Sequence, residues 1–216
     1  MTTPIAVAWD IDGTLVDSEP VHLAALVAVS ARYGLDLSND PEDRFLGQHL
    51  GSVWAELSPH YPVDLLQSRW VEEILGEYAL RSHELKVVTV MLATMGELHK
   101  RGVMQVCVSN SERAIVDANI GVLGIGEMIG FSISREDVAT PKPDPEPYRL
   151  AARRLGLPPS SMLAVEDSET GARSAIGAGL SVIRYQPARE QEAAAEILAL
   201  FRGTGMDMTG KHLLSE

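Results

Sequence analysis

The chain has 216 residues, of which 45% are hydrophobic and 22% are charged. This length and composition fit one large or two small globular domains, and they exclude a collagen-like, coiled-coil or disordered chain. The 18 Lys and Arg residues against 30 Asp and Glu give a formal net charge of −12. Because such an acidic surface repels phosphate backbones and anionic lipids, we expect neither nucleic acid nor a membrane as a partner.

The sequence also carries indications of location. Its longest apolar stretches, Ile5–Trp9 and Val87–Met95, are much shorter than the ~20 residues that span a bilayer. The N-terminal Met-Thr-Thr-Pro sequence lacks the basic region and cleavage site of a secretory signal. The single cysteine, Cys107, lies in an apolar run and is predicted to be a buried hydrophobic residue rather than a nucleophile. We therefore expect a cytoplasmic protein, either a monomer or a small homo-oligomer.

The predicted elements alternate after an initial strand and a helical segment. The first strand, Ile5–Trp9, is apolar and partly β-branched, and it ends in an acidic sequence. Helical spacing follows over residues 21–33, 51–57 and 65–80, without strand-like alternation. Beyond Val87 the predicted strands are 105–109, 131–134, 162–165 and 180–185, and the predicted helices are 92–100, 112–119, 145–155 and 168–178. After Gly203 no periodicity is visible, and we expect a loose tail there.

This order of elements predicts an α/β fold. Alternating strands and helices form a Rossmann-like parallel sheet with helices on both faces. The helical segment, inserted directly after the first strand, then lies above the carboxyl edge of the sheet, where open α/β sheets bind their ligands. We expect a core formed by residues 1–16 and 86–216, and an inserted α-helical cap domain over residues 17–85 that serves as a lid.

The first motif is Asp10-Ile-Asp12-Gly13-Thr14, at the end of the first strand. Alternate residues of an extended strand end face the same way, so Asp10 and Asp12 can reach one site. Two adjacent carboxylates repel each other unless a cation lies between them or one is protonated. The pair therefore indicates a metal site or a nucleophile with an acid/base partner, and Thr14 can offer a hydroxyl or an amide to an anion. The alternative is an ordinary acidic loop.

Two further motifs contain possible anion ligands. Ser109 and Asn110 follow a predicted strand and precede a helix, where hydroxyl, amide and free backbone N–H groups suit a phosphate. These residue types are also the preferred helix N-caps, so plain capping is the alternative. Lys142 lies in the sequence Thr140-Pro-Lys-Pro-Asp-Pro145, whose prolines stiffen the loop and reduce the entropy that the lysine loses on pairing with an anion. An exposed turn lysine is the alternative there.

The fourth motif is Glu166-Asp167-Ser168, at the end of another predicted strand. Parallel strands share their carboxyl ends, so these acids face the same edge as Asp10 and would complete a set of oxygen ligands for Mg²⁺. They could instead form an acidic N-cap that interacts with the dipole of the following helix.

Taken together, the four motifs fall at successive strand ends of one sheet, and in this order the sequence resembles the haloacid dehalogenase-like hydrolase superfamily. More closely, it resembles the branch with a helical cap, which includes sugar-phosphate phosphatases and β-phosphoglucomutases. The resemblance covers nearly the whole chain up to about Gln186. It is strongest in Asp10–Glu19, Thr140–Pro145 and Val165–Gly179.

The resemblance implies a phosphoryl-transfer enzyme that acts through an aspartyl-phosphate. Asp10 would be the nucleophile, while Asp12 would protonate the leaving oxygen and then activate water. Ser109, with help from Asn110, would hydrogen-bond the phosphoryl group, and Lys142 would neutralise its charge.

The resemblance also implies the cofactor Mg²⁺. Its expected ligands are Asp10, the backbone carbonyl of Asp12, and Asp167, with Glu166 as a ligand or as a partner of the ligands. The presence of Asp12 argues against the dehalogenases of the superfamily, because a halide leaving group needs no proton.

The predicted cap contains candidate substrate contacts, namely Arg44, Gln48 and His49. Position 50 is leucine, whereas the β-phosphoglucomutases have an arginine near it that grips a second phosphate, and this weakens the mutase interpretation. The phosphonate-cleaving relatives need a cap lysine, and residues 20–81 contain none. The return segment Leu85–Thr89 lacks the Pro/Gly pair that relatives often carry.

These observations favour Mg²⁺-dependent hydrolysis of a small phosphorylated metabolite, most similar to a phosphosugar. One alternative is a β-phosphoglucomutase-type phosphosugar mutase. A second is a metabolite-binding regulator without turnover, which we expect to have lost Asp10, Asp12 or Lys142.

Overall fold

The computed structural model describes residues 3–41, 44–45, 47–202, 205–206 and 212–213. Its strands are β1 (Ala6–Trp9), β2 (Val16–Asp17), β3 (Lys86–Val87), β4 (Met104–Val108), β5 (Ser132–Ile133), β6 (Met162–Glu166), β7 (Ser181–Arg184), β8 (Gly205–Met206) and β9 (His212–Leu213). Its helices are α1 (Glu19–Arg32), α2 (Leu50–Leu57), α3 (Gln67–Arg81), α4 (Thr89–Lys100), α5 (Arg113–Leu123), α6 (Glu146–Leu155), α7 (Glu169–Ala178) and α8 (Glu190–Leu200).

The central sheet is parallel, with the strand order β5-β4-β1-β6-β7. Strand β1 is completely buried in the middle, and Trp9 at its end is level with Cys107 of β4 and Val165 of β6. The residues that follow these positions therefore meet at one edge of the sheet. The α/β class and the parallel sheet predicted from the alternating pattern are confirmed.

Helices cover both faces of the sheet because the side chains of each buried strand alternate between two hydrophobic clusters. Val7 and Trp9 of β1 point into the cluster formed with α4, α5 and α8. Ala6 and Ala8 point into the opposite cluster, which includes Tyr148 of α6 and residues of α7. These two clusters hold β1 in the middle of the sheet. They thereby position the loop after β1, which carries the first motif.

Helices α1–α3, hereafter the helical insertion, have a hydrophobic cluster of their own. Its largest members include Trp70 and Leu57, which are almost completely buried. Where the insertion leaves and rejoins the sheet, β2 and β3 form a short antiparallel ribbon that pairs Val16 with Val87 and Asp17 with Lys86. Strand β3 of this ribbon lies in the return segment Leu85–Thr89, which lacks a Pro/Gly pair. The division into a core and a cap domain stays a prediction.

Besides the ribbon of β2 and β3, which was not predicted, the structure differs from the predicted elements in α5, in α8 and beyond Gly203. Helix α5 is one turn longer than expected and ends at Leu123, before Gly124 in the left-handed conformation (φ +64°). Helix α8 was not predicted, because its glutamate- and alanine-rich sequence shows little separation of polar and apolar faces. Beyond Gly203 an irregular chain was expected, but β8 and β9 pair antiparallel; the rest of that segment lies outside the described residues.

Within the described part of the chain, no helix combines the length and the apolar character that crossing a bilayer requires.

Candidate active site

The carboxyl edge of the sheet brings Asp10 and Lys142 into direct contact. The backbone N–H of Asp10 donates to the carbonyl of Val165 (3.0 Å), which fixes the loop against β6. Lys142 Nζ donates to Asp10 Oδ1 (2.7 Å), to Glu166 Oε1 (2.6 Å) and to the carbonyl of Val108 (2.7 Å). Thr14 Oγ1 donates to the other oxygen of Asp10 (3.0 Å). The Asp10 carboxylate is therefore held on both oxygens.

This cluster is buried and carries an excess of negative charge. Lys142 is 4% exposed, Asp10 6% and Glu166 0%. Burial lowers the pKa of Lys142, but the carboxylates of Asp10 and Glu166 outweigh it and raise that pKa, so the lysine stays charged. Burial and the charge of Glu166 raise the pKa of Asp10 well above its usual value, and Lys142 offsets only part of this rise. One ammonium group does not neutralise the acids around it.

Three of these acids could hold a metal ion. Asp10, Glu166 and Asp167 each offer a carboxylate oxygen, and the three oxygens lie within 4.8 Å of one another. Burial and the charge of the nearby Glu166 raise the pKa of Asp167. A Cβ atom on Gly13, whose φ is +80°, would lie 2.2 Å from Asp167 Oδ2. The absence of a side chain at Gly13 therefore leaves room for this carboxylate.

The donor set fits a hard divalent cation such as Mg²⁺, which prefers carboxylate oxygens. Glu166 Oε1 already accepts from Lys142 and from the hydroxyl of Tyr148. Its Oε2 accepts one long hydrogen bond, from Ser168 Oγ (3.4 Å), and is therefore the oxygen more available to a metal ion. The ligand roles of Asp10, Asp12, Glu166 and Asp167 stay predictions.

The carboxylate of Asp12 accepts four hydrogen bonds. Its Oδ1 accepts from Ser18 Oγ (2.7 Å) and from Asn119 Nδ2 (3.0 Å). Its Oδ2 accepts from Ser111 Oγ (2.8 Å) and from Ser109 Oγ (3.1 Å). An ionised carboxylate has about four lone-pair sites, so these bonds match its ionised form.

A histidine adds to this stabilisation. His22 Nε2 lies 3.9 Å from Asp12 Oδ1, which is the separation of an ion pair rather than of a direct hydrogen bond. Burial raises the pKa of Asp12, but His22 and the hydroxyls of Ser18 and Ser111 outweigh it and lower that pKa. Conversely, burial lowers the pKa of His22, and Asp12 with Glu19 raises it on balance. Asp12 is therefore held as a carboxylate.

The residues predicted to bind phosphate have different surroundings. Ser109 Oγ accepts from the backbone N–H of Ser111 (3.0 Å) besides donating to Asp12. The side-chain amide of Asn110 makes two bonds to the backbone of Lys142: Nδ2 donates to its carbonyl (3.0 Å), and Oδ1 accepts from its N–H (2.9 Å). Asn110 thus clamps the loop that carries the lysine, and both Asn110 and Ser109 line the cleft.

A cleft of about 1310 Å³ opens above these residues, between the sheet edge and the helical insertion. Of the candidate substrate contacts, Gln48 and His49 line it. Arg44 does not belong to its lining; the guanidinium pairs with Asp40 and Glu56 on the exposed surface. The structure therefore brings Gln48 and His49 to the cleft and leaves Arg44 outside it.

Several residues at the site were not found by sequence reasoning. Ser18, Ser111 and Asn119 hydrogen-bond Asp12, and Tyr148 hydrogen-bonds Glu166. Ser111 lies next to a motif and could have been included with it. The sequence carries no signal for Tyr148 or Asn119, because their role depends on which helix face meets the sheet edge.

Comparisons with known proteins agree with this geometry. A family model for haloacid dehalogenase-like hydrolases matches residues 7–185. The fructose-1-phosphate phosphatase YqaB of Escherichia coli is 29% identical over 184 residues, which cover 81% of this chain and 93% of that protein. The phosphoglycolate phosphatase of Salmonella typhimurium is 32% identical over 197 residues, which cover 80% of this chain and 77% of that one.

A solved structure gives the same result for the fold. The crystal structure of CbbY from Rhodobacter sphaeroides in complex with phosphate superposes with a TM-score of 0.75 at 25% identity, over 84% of this chain and 85% of that chain. The chain belongs to the haloacid dehalogenase-like hydrolase family, and it is an enzyme of the phosphatase type named among these relatives. The resemblance seen in the sequence is confirmed.

Proposed function

We propose that this hydrolase cleaves a small, phosphosugar-like phosphate monoester in a Mg²⁺-dependent reaction through an aspartyl-phosphate on Asp10. The observation that carries the proposal is the buried Asp10 carboxylate on the floor of the cleft, held by Lys142 at one oxygen and by Thr14 at the other. A second carboxylate, Asp12, follows two residues later and lines the same cleft. This is the arrangement that nucleophilic catalysis with an acid/base partner requires.

In the first step a carboxylate oxygen of Asp10 attacks phosphorus. The bond from phosphorus to the ester oxygen breaks, and that oxygen leaves with a proton from Asp12. Asp12 is a carboxylate in the free protein, and it takes up this proton from the bound phosphate monoester, which enters as its monoanion. Lys142 neutralises the charge that Asp10 shares with the phosphoryl group. The hydroxyl of Ser109, which donates to Asp12 in the free protein, rotates to donate its one proton to the phosphoryl group. A bound Mg²⁺ would supply further charge neutralisation, held by Asp10 and Asp167 with Glu166 behind them.

In the second step water attacks phosphorus and breaks the bond to Asp10. Asp12 takes the proton of that water, so it must begin this step as a carboxylate. Its four hydrogen bonds and the nearby His22 favour this ionised form. The product is inorganic phosphate, and Asp10 returns to its starting state.

The lining of the cleft supports a substrate with a single phosphate. Among its described residues, the lysines and arginines are Lys142 and Arg81. Arg81 is already paired with Glu77 and Glu84. At position 50, where the mutase interpretation needs a cation, Leu50 lines the cleft. A second phosphate would therefore meet no free guanidinium group among the described lining residues.

The proposal is tested by phosphate release from a panel of esters. The panel contains fructose 1-phosphate, glucose 6-phosphate, phosphoglycolate, fructose 1,6-bisphosphate and p-nitrophenyl phosphate. We expect turnover of the monophosphosugars, a lower kcat/KM for the bisphosphate, and no turnover by Asp10→Asn. Isomerisation of glucose 1-phosphate with a bisphosphate primer, without net phosphate release, would replace the proposal by the mutase. Thermal stabilisation by phosphate without any turnover would replace it by the binding regulator.

The metal is tested separately. We expect chelation by EDTA to abolish turnover and Mg²⁺ to restore it. Mg²⁺ should also raise the melting temperature of the wild type, and this rise should disappear in Asp167→Asn. The matched control is Glu169→Gln, which removes a neighbouring acid whose side chain is 78% exposed. An equal Mg²⁺ effect in Asp167→Asn and Glu169→Gln would contradict the proposed ligand set.

A further inference from the structure

A hydrogen-bonded link joins the helical insertion to Asp12. Tyr78, on α3 of the insertion, donates its hydroxyl proton to Asn119 Oδ1 (2.7 Å). Asn119, on α5 beside the sheet, donates from Nδ2 to Asp12 Oδ1 (3.0 Å). The link thus crosses from the helix that closes the insertion to the carboxylate that would move protons in the reaction.

The direction of both bonds is fixed by chemistry. Ionised Asp12 can only accept hydrogen bonds, so the amide nitrogen of Asn119 must face it. The amide oxygen then faces Tyr78, which must donate. Tyr78 is 1% exposed and Asn119 0%, so neither bond competes with water. An amide held at both ends in a buried environment has one orientation available to it.

Tyr78 touches a second neighbour of Asp12. Its ring packs against that of His22, with ring centroids 4.5 Å apart. His22 lies on α1 and approaches the same oxygen of Asp12 as Asn119 does. Tyr78 therefore supports two of the groups that surround Oδ1, one through its hydroxyl and one through its ring.

We propose that Tyr78 and Asn119 are positioning residues for proton transfer by Asp12. This inference rests on the proposed function, because it assumes that Asp12 is the acid that protonates the leaving oxygen. Neither residue is expected to touch the substrate: the cleft lining includes Asp12 and His22 but neither Tyr78 nor Asn119. Their contribution is to hold the carboxyl group of Asp12 where the proton that it takes up in the substrate complex reaches the leaving oxygen.

The test compares leaving groups that need a proton with one that does not. The substrates are p-nitrophenyl phosphate, whose phenolate leaves unaided, and the fastest alkyl phosphate of the panel above, whose alkoxide must be protonated. The measured quantity is kcat/KM, because it covers the steps up to departure of the leaving group. Tyr78→Phe removes the hydroxyl and keeps the ring against His22. We expect a loss of roughly 10-fold for the alkyl ester and of less than about 2-fold for the aryl ester.

The matched control is Tyr61→Phe. Tyr61 is also a buried tyrosine of the helical insertion, and its hydroxyl is 2.7 Å from Ser30 Oγ, away from Asp12. Its removal should leave the ratio of alkyl to aryl kcat/KM unchanged. Asn119→Ser breaks the link at its other residue and should shift the ratio in the same direction. This variant keeps the inference testable if Tyr78→Phe fails to fold. Because both variants break one link, the double variant should show little further shift.

Three results decide the matter. A shifted ratio in Tyr78→Phe or Asn119→Ser, but not in Tyr61→Phe, supports the inference. Equal losses for both esters in Tyr78→Phe and Asn119→Ser would refute it and leave only a structural role. Asp12→Asn separates this failure from that of the proposed function: an unchanged ratio in Asp12→Asn would show that Asp12 is not the acid, and the inference would fall with the mechanism.

Discussion

Asp137 is the residue for which the structure gives the most definite expected effect on stability. It ends the 3₁₀ turn Arg135–Asp137 after β5, and its carboxylate accepts from the N–H (2.8 Å) and hydroxyl (2.9 Å) of Ser134. It also pairs with Arg113 at the start of α5 and with Arg154 at the end of α6. The substitution Asp137→Asn removes the negative charge with which these groups interact and keeps the shape of the side chain.

The magnitude follows from the pKa of this carboxyl group. Burial raises the pKa, but the bonds from Ser134 and the guanidinium groups of Arg113 and Arg154 outweigh it and lower the pKa from 3.8 to about 2. At ~1.36 kcal/mol per pH unit, a difference of this size corresponds to about 2 kcal/mol. Since the side chain is 22% exposed, solvent screening reduces the expected loss to roughly 1–2 kcal/mol.

The sign of the pH dependence is also determined. A folded-state pKa below the unfolded value contributes stability above the unfolded pKa, and this contribution disappears as the pH falls through the folded pKa. Asp137→Asn should therefore cost its full amount at pH 7 and pH 5, and progressively less between about pH 4 and pH 2.

The assay is urea unfolding of the wild type and of Asp137→Asn at a series of pH values from 7 to about 2. The matched control is Asp117→Asn, which removes an acid paired with the same Arg113 but with a side chain that is 62% exposed. We expect this control to cost less than about 0.5 kcal/mol. If Asp137→Asn costs no more than the control, or if its cost at pH 7 persists unchanged at pH 3, the assignment of the stabilisation to the ionised carboxylate is refuted.

Two further predictions concern activity. In Gly171→Ala the new Cβ would lie 1.9 Å from Glu166 Oε2, so Glu166 must move away from Lys142, and we expect kcat for p-nitrophenyl phosphate to fall by more than about 100-fold. Gly121→Ala, where nothing lies within 4 Å, is the control and should keep wild-type kcat. In Asn110→Asp a carboxylate oxygen replaces the amide that donates to the carbonyl of Lys142, so steady-state kinetics should show kcat reduced by roughly 10-fold with KM unchanged. A raised KM with unchanged kcat would instead identify Asn110 as a substrate contact.

The sequence was informative where chemistry and strand geometry coincide. Asp10, Lys142 and Glu166 stand in short motifs at the ends of elements, and a parallel sheet has one carboxyl edge at which such ends meet. Their juxtaposition could therefore be predicted without knowing any side-chain contact. The same reasoning gave the α/β class, because the alternation of buried strands with helices leaves few other arrangements.

The remaining features depend on packing that a single sequence does not reveal. Asn119 lies within a helix, and whether it faces Asp12 or the solvent depends on how α5 rotates against the sheet. The ribbon of β2 and β3 is too short to show any periodicity. Arg44 is another example: its position in the chain suggested the cleft, but acidic neighbours on the surface bind its guanidinium group.

The charge balance at the carboxyl edge links these points to function. Asp10, Glu166 and Asp167 lie close together around one lysine, so the folded chain holds more negative charge there than it neutralises. Such an arrangement costs stability, and the surrounding buried strands must offset that cost. A cation or a protonated partner would relieve the repulsion, and the same unneutralised charge would attract the divalent metal proposed for this site. The clustered acids that cost folding stability are therefore the same residues that would bring a cation to the site. The transition state of phosphoryl transfer requires such positive charge close to the nucleophile.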